Sequence, residues 1–246
     1  MSQPGVSPVH AVGPAKVPDA KTLGKLGVAL GPEIVERIHR RVVAIAQEHR
    51  VVRGRRMRVD TTVVETDIHY PTDSALLGDG VRVLTRAMKR IQQLSAAAGA
   101  TARDRTNSAG RCVLQIGRIC RSRTEQGKDR LQQCYRSLPS ITGRVVGPAK
   151  RFVREVVTGI KGSAELIAQL ALEEHCVYLE TMIPRVQQLM RQARERIFGG
   201  DTRSAGKLVS LFEPHTEIIR KGKTAKPTEF GKLIKFQEAE QQIVTH

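Results

Sequence analysis

Apolar residues recur at helical spacing in the segment LGPEIVERIHRRVVAIAQEHRVV, near the start of the chain. At about 3.6 residues per turn, this segment places four of them on one helical face: Ile34, Ile38, Val42 and Ile45. Pro32 suits the first turn of such a helix. The pattern therefore predicts an N-terminal helical region over 21–56, preceded by a disordered N-terminus over 1–20, where Pro and Gly are frequent.

A change to β-branched residues follows at 57–64, where the sequence reads MRVDTTVV. A short run rich in Val and Thr predicts a strand, and the apolar content of this run predicts a buried one. The next segment contains the turn formers Pro71 and Gly78 and predicts a loop that enters a helix near Ser74. We therefore take 57–80 as the first core strand and the loop that follows it.

The pattern is mostly helical from Val81 to about Gly199, and Pro184 is expected to kink or interrupt the last long helix. Beyond the break at 199–206 the tail consists of short, partly alternating segments that favour strands. A single strand is not stable alone, so the strand at 57–64 must pair with strands of the tail. This order predicts an α/β core, with 81–206 as a helical insertion and 207–246 as further core strands.

Positive charge is concentrated in one part of this order. The chain has a formal net charge of +17, and residues 82–154 contain 17 Lys and Arg against 3 acidic residues, a net charge of +14. Such concentration favours a surface that follows nucleic-acid phosphates over a generic solvated face. Helices bearing these cations can hold a duplex backbone without reading its sequence. The predicted DNA-binding residues are Arg82, Arg86, Lys89, Arg90, Arg118, Arg121, Arg123, Lys128 and Arg130.

The cysteines lack the spacing of a zinc site, which predicts reduced, buried thiols in a cytoplasmic protein. They are Cys112, Cys120, Cys134 and Cys176. The first twenty residues contain no apolar core of the kind found in signal peptides. No apolar run approaches the length of a membrane span, so no membrane partner is expected.

One acid, Asp60, lies within the predicted strand and is the candidate for metal chemistry. A carboxylate on a rigid strand beside a nucleic-acid surface can hold Mg²⁺ or Mn²⁺ for phosphoryl transfer, a site that needs two or three carboxylates. The other interpretation is that Asp60 caps the strand end or pairs with Arg56 or Arg58, and the spacing alone favours neither.

Other acids are candidates for the remaining ligand positions. Asp67, Asp73 and Asp79 lie in the segment after the strand, where Asp73 and Ser74 are expected to shape the loop or cap the next helix. Glu229 and Glu238 lie in the strand-like tail and are expected to be surface or pairing residues.

The block RVDTTVVETDIHYPTDSALLGDGVRVLTR resembles the segment around the first catalytic Asp of DDE transposases from bacterial insertion sequences, nearest to the ISNCY-like branch. The tail SLFEPHTEIIRKGKTAKPTEFGKLIKFQEAEQQIVT is similar to the next part of the same proteins. The opening KTLGKLGVALGPEIVERI is similar to the helical region that precedes the first Asp. The resemblance covers about residues 17–245, and the block at 58–80 is its specific part.

This resemblance implies an RNase H-like core that cuts and joins DNA with two Mg²⁺ or Mn²⁺ ions held by a DDE triad. Asp60 matches the first Asp of the triad, as catalytic residue and metal ligand. The implied partners are DNA, as element ends and target duplex, and a second transposase chain through self-association or pairing with a full-length copy. In the family the second Asp and the Glu follow the E-F-G strands, and this chain stops at His246. We therefore expect a C-terminally truncated transposase with an incomplete core, whose fragment need not bind metal.

Two other hypotheses remain open from the sequence. The first is a non-enzymatic basic DNA-binding protein, which includes an inhibitory remnant of a transposase. The second is a product that does not fold stably, because a core lacking its later strands leaves an open sheet edge and apolar surface.

Overall fold

The computed structural model describes residues 18–94, 103–159, 166–202, 206–220, 222 and 227–245. These residues form a mixed α/β chain that is mostly helical, which confirms the coarse fold class. In chain order the elements are α1 (Ala20–Leu30), α2 (Pro32–Glu48), β1 (Met57–Glu65), α3 (Asp73–Leu94), α4 (Thr106–Ile119), α5 (Glu125–Gly159), α6 (Leu166–Phe198), β2 (Glu217–Ile219), β3 (Glu229–Ala239) and a 3₁₀ turn (Glu240–Gln242).

The three strands form one sheet in the order β1-β3-β2. β2 runs antiparallel to β3, with Glu217 opposite Gly231 and Ile219 opposite Glu229. The prediction that the strand at 57–64 pairs with a strand of the tail is therefore confirmed, and four of the described helices lie between the two strands in the chain.

The prediction that this strand is buried is wrong. Every residue of β1 is exposed except Val63, which is half-buried. β1 is an edge strand, because β3 is its only neighbour in the described sheet. β-branched residues favour extended backbone whether or not a face is covered, so their presence predicted the strand but not its environment.

The chain divides into two compact units. Unit 1 comprises Met1–Thr62 and Leu233–His246, and unit 2 comprises Val63–Lys232. The fully buried side chains of unit 2 come mainly from α3, α5 and α6, and the largest is Phe152.

The chain contains no tryptophan, and its three tyrosines, Tyr70, Tyr135 and Tyr178, all belong to unit 2.

The start of α3 follows from local chemistry. The Thr72 hydroxyl accepts a hydrogen bond from the backbone N–H of Ala75 at 3.1 Å, as an N-cap side chain does. The predicted helix start near Ser74 is confirmed, since α3 begins at Asp73. The capping side chain is Thr72 rather than Asp73 or Ser74.

Pro184 was expected to kink or interrupt the last long helix; α6 runs through it as a single helix, so the interruption does not occur. A proline inside a helix costs about 3 kcal/mol in propensity. Met182, Ile183 and Val186 flank it and are buried. Tertiary packing therefore holds this segment helical against the local preference.

In unit 1, α2 begins with Pro32 in its first turn, as predicted. The apolar face of α2 is not covered: Ile34, Ile38, Val42 and Ile45 are 40–51% exposed. His39 Nε2, on α2, donates a hydrogen bond to the carbonyl oxygen of Val244, near the end of the chain, at 2.9 Å.

None of the described helices is both long and apolar enough to cross a membrane.

The described cysteines are free thiols. Cys134 and Cys176 are buried, as expected, and burial raises the pKa of both thiols. Cys112 is half-buried. Cys120 is exposed just beyond the end of α4, so its expected burial is wrong.

Candidate nucleic-acid interface

One face of α3 combines cations at helical spacing. Arg82, Arg86, Lys89 and Arg90 are all exposed. The opposite face of the helix is buried in the unit 2 core and includes Leu84, Met88 and Ile91. Because the apolar face fixes the rotation of the helix, the cations are held toward solvent.

Two of these four cations are engaged in ion pairs. Arg82 lies 3.0 Å from Asp79, and Lys89 Nζ lies 2.6 Å from Asp104 Oδ2. The hydrogen bond from Lys89, with others from Thr106, lowers the pKa of Asp104 from 3.8 to about 2. Within the described part of the chain, no ion pair is found for Arg86 and Arg90, which leaves their charge available to an anionic partner.

The remaining predicted cations continue along α4 and α5. Arg118 lies in the last turn of α4, Arg121 and Arg123 lie between the helices, and Lys128 and Arg130 lie in the first turns of α5. All five are exposed, and Lys128 pairs with Glu125 at 2.6 Å. α3, α4 and α5 pack against one another pairwise. All nine predicted DNA-binding residues therefore lie on the surface of one three-helix arrangement.

Arg86 and Arg90 also line a cavity of about 570 Å³ that sequence reasoning missed. Its other walls include Glu174 and Tyr178 of α6 and Phe212. No local pattern in the sequence marks this cavity. The cavity forms because α3 packs against α6, and local periodicity does not predict which helices pack together.

Asp60 lies on exposed β1, and its side chain is 71% exposed. One carboxylate oxygen accepts the backbone N–H of Thr61 at 2.7 Å, and the other lies 3.8 Å from the Arg58 guanidinium. The pairing with Arg58 that the sequence allowed is therefore present. Among the described residues, no group of three or more His, Cys, Asp or Glu side chains is arranged to hold a metal. These residues alone do not fit a two-metal site, and the metal role of Asp60 stays a prediction.

The other acids have structural environments. Asp73 is 3% exposed and bonds Arg196 at 2.9 Å, which supports the expected structural role. Glu229 is buried opposite Ile219, so it is a pairing residue rather than a surface one. Glu238 is half-buried and forms an isolated antiparallel bridge with Val244.

No protein-family model, curated protein or solved structure matches this chain. The transposase resemblance therefore rests on the sequence blocks quoted above and stays a prediction.

Proposed function

We propose that this chain binds duplex DNA through the cations of α3, α4 and α5. One observation carries the proposal: the sequence concentrates a net charge of +14 in residues 82–154, and the nine cations predicted to bind DNA are all exposed. Exposed Arg and Lys side chains reach phosphates with little desolvation. Binding of this kind positions the duplex and is largely independent of its sequence.

In the proposed lineage the chain is a transposase fragment. β1, β2 and β3 would be the first strands of an RNase H-like core, α3–α6 the insertion, and Asp60 the first carboxylate for Mg²⁺ or Mn²⁺ in the intact enzyme. The element order and the block at 58–80 support this proposal. Strand cleavage needs further carboxylates, and the described residues bring no such group to Asp60, so we propose that the chain alone binds DNA without cutting it. Element ends, target duplex and a full-length transposase are the proposed partners.

A second candidate is a DNA-binding protein with no catalytic role, including an inhibitory remnant. The pairing of exposed Asp60 with Arg58 favours it, because this contact gives the acid a structural partner that requires no metal.

The binding proposal is tested by fluorescence anisotropy with a short duplex between about 50 and 200 mM salt. Each phosphate contact contributes about 0.9 to the slope of log K against log salt. We expect the double variant R86A/R90A to lower that slope by about 1.8, corresponding to two lost contacts. The matched control R37A/R40A removes the same charge from α2. Equal losses in both variants, or binding of the parent that does not respond to salt, would reject this interface.

A nicking assay with Mg²⁺ or Mn²⁺ tests whether the chain cuts DNA, and protection of element ends separates the two candidates. We expect no cleavage above background. Cleavage that depends on metal and disappears in Asp60→Ala would show an active site and contradict the fragment proposal. Preferential protection of one terminal repeat over a scrambled duplex would support the transposase lineage over a general DNA-binding protein.

A further inference from the structure

A loop in unit 1 binds a carboxylate with four consecutive backbone amides. The Glu240 side chain accepts hydrogen bonds from the N–H groups of Arg53 and Gly54, both at 3.3 Å, and of Arg55 at 2.7 Å and Arg56 at 3.1 Å. These amides donate to the two oxygens of one carboxylate. We name the group the 53–56 nest.

The geometry of this loop is that of an anion receptor. Gly54 has a φ of 70°, in the left-handed region that favours glycine, and this lets successive amides turn toward one point. Consecutive N–H groups arranged in this way form concavities that bind phosphates and other oxyanions. A hydrogen bond from the backbone N–H of Glu240 itself, followed by those from the backbone N–H groups of Arg55, Arg53 and Arg56, lowers the pKa of this carboxyl from 4.5 to about 2. The nest thus favours a negative charge.

The surroundings of the nest are also cationic. Its residues belong to the segment RGRRMR, and the side chains of Arg53, Arg55, Arg56 and Arg58 are all exposed. Arg53 and Arg58 have local acceptors, the carbonyl oxygen of Arg50 and the carboxylate of Asp60. Arg55 and Arg56 have no ion pair among the described residues. Two guanidinium groups are therefore available near the four amides. Their combined positive charge is larger than the single negative charge of the Glu240 carboxylate.

The element that carries Glu240 has an unfavourable backbone. Glu240 begins a 3₁₀ turn in which Gln241 and Gln242 have φ values of 58° and 62°. Non-glycine residues are disfavoured in the left-handed region. This turn holds the carboxylate in the nest with a strained backbone. Release of that strain when the carboxylate leaves would favour a competing anion.

We propose that the 53–56 nest is a second DNA-backbone site, which takes one phosphate group, and that Glu240 occupies it in the free protein as an internal competitor. The proposal rests on the proposed function for the source of the phosphate, and it adds a site outside the helices of unit 2. Binding exchanges one oxyanion for another: a phosphodiester oxygen accepts the amides, the Arg55 and Arg56 side chains reach the phosphate, and Glu240 moves into solvent.

The variant that tests this exchange is Glu240→Ala, which opens the nest. Its matched control is Glu238→Ala, which removes the same charge two residues earlier and leaves the nest closed. Amide chemical shifts of residues 53–56 are followed by NMR during titration with inorganic phosphate. We expect saturable shifts in Glu240→Ala and little response in the parent or in Glu238→Ala. No response in Glu240→Ala would overturn the proposal.

Duplex binding by the same variants then tests whether the phosphate in the nest comes from DNA. Because Glu240 competes for the nest, we expect it to keep the nest closed in most parent complexes. The slope of log K against log salt should therefore steepen by up to about 0.9 in Glu240→Ala, one added phosphate contact, and be steeper than in Glu238→Ala. Equal slopes in these two variants would overturn the assignment to DNA, even if free phosphate shifts the amides. If no variant binds DNA, the proposed function fails, while the phosphate titration still decides whether the nest binds anions.

Loss of amide dispersion in residues 20–62 would show that Glu240→Ala unfolds unit 1. Glu240→Asp is then the variant to test, because aspartate keeps the charge but its side chain is one methylene shorter and its carboxylate reaches less far into the nest. We expect phosphate to shift the 53–56 amides of Glu240→Asp at lower concentration than those of the parent. The same midpoint in both proteins would overturn the proposal.

Discussion

Replacing Gly231 with alanine is expected to destabilise unit 2. A Cβ at this position would overlap the carbonyl oxygen of Val64 and lie 2.9 Å from the carbonyl carbon of Val64 and 3.0 Å from Cα of Glu65. These neighbours are backbone atoms of β1, which cannot move aside as the end of a flexible side chain can. Accommodating the methyl group therefore requires β1 and β3 to separate.

Overpacking of this kind costs about 1–3 kcal/mol, and the rigid neighbours favour the upper part of that range. Loss of glycine freedom in the unfolded chain returns about 0.4–1 kcal/mol. The net loss of unfolding free energy is then about 2 kcal/mol. In a chain of this size that corresponds to a decrease in Tm of about 4–8 °C.

The assay is urea and thermal denaturation followed by far-UV circular dichroism, with Gly117→Ala as the matched control. Gly117 lies in α4, and an added Cβ meets nothing within 4 Å. The same change there should stabilise the protein by about 0.5–1 kcal/mol, because alanine is the better helix former. A Gly231→Ala protein as stable as the parent would refute the close approach of β1 to β3.

Three further outcomes are expected. Phe152→Ala, which empties the largest fully buried position, should cost about 3–5 kcal/mol in chemical denaturation; a cost below about 1 kcal/mol would contradict its burial. Lys89→Ala should raise the pKa of Asp104 from about 2 toward 3.8 in an NMR titration; since that carboxyl is depressed in the folded state, its stabilisation is present above pH 3.8 and lost as pH falls toward 2. Iodoacetamide should alkylate exposed Cys120 before buried Cys134, as mass spectrometry of timed samples would show, and the reverse order would be inconsistent with the structure.

Local patterns predicted the parts of the fold that depend on local chemistry. The strand at β1, the start of α3 after Thr72 and the cationic face of α3 could all be read from short stretches of sequence. Each depends on side chains within a few residues, where propensity and periodicity are informative.

The parts that could not be predicted depend on contacts between distant segments. Asp73 meets Arg196 across 123 positions, and Glu240 meets the 53–56 nest across 184–187 positions. The exposure of β1 and the unbroken course of α6 through Pro184 likewise depend on which elements pack nearby. A single sequence does not specify that packing, so Asp60 was expected in a buried strand and the candidate cavity beside Arg86 was missed.

The division into two units has a spectroscopic consequence. With no tryptophan in the chain, intrinsic fluorescence comes from Tyr70, Tyr135 and Tyr178, and all three belong to unit 2. Unit 1, with α1, α2 and the 53–56 nest, is silent in that signal and contributes to circular dichroism through its helices. Denaturation curves recorded by the two methods coincide only if both units unfold in one cooperative step. Their separation along the urea axis would measure the stability of unit 1 on its own, without any label.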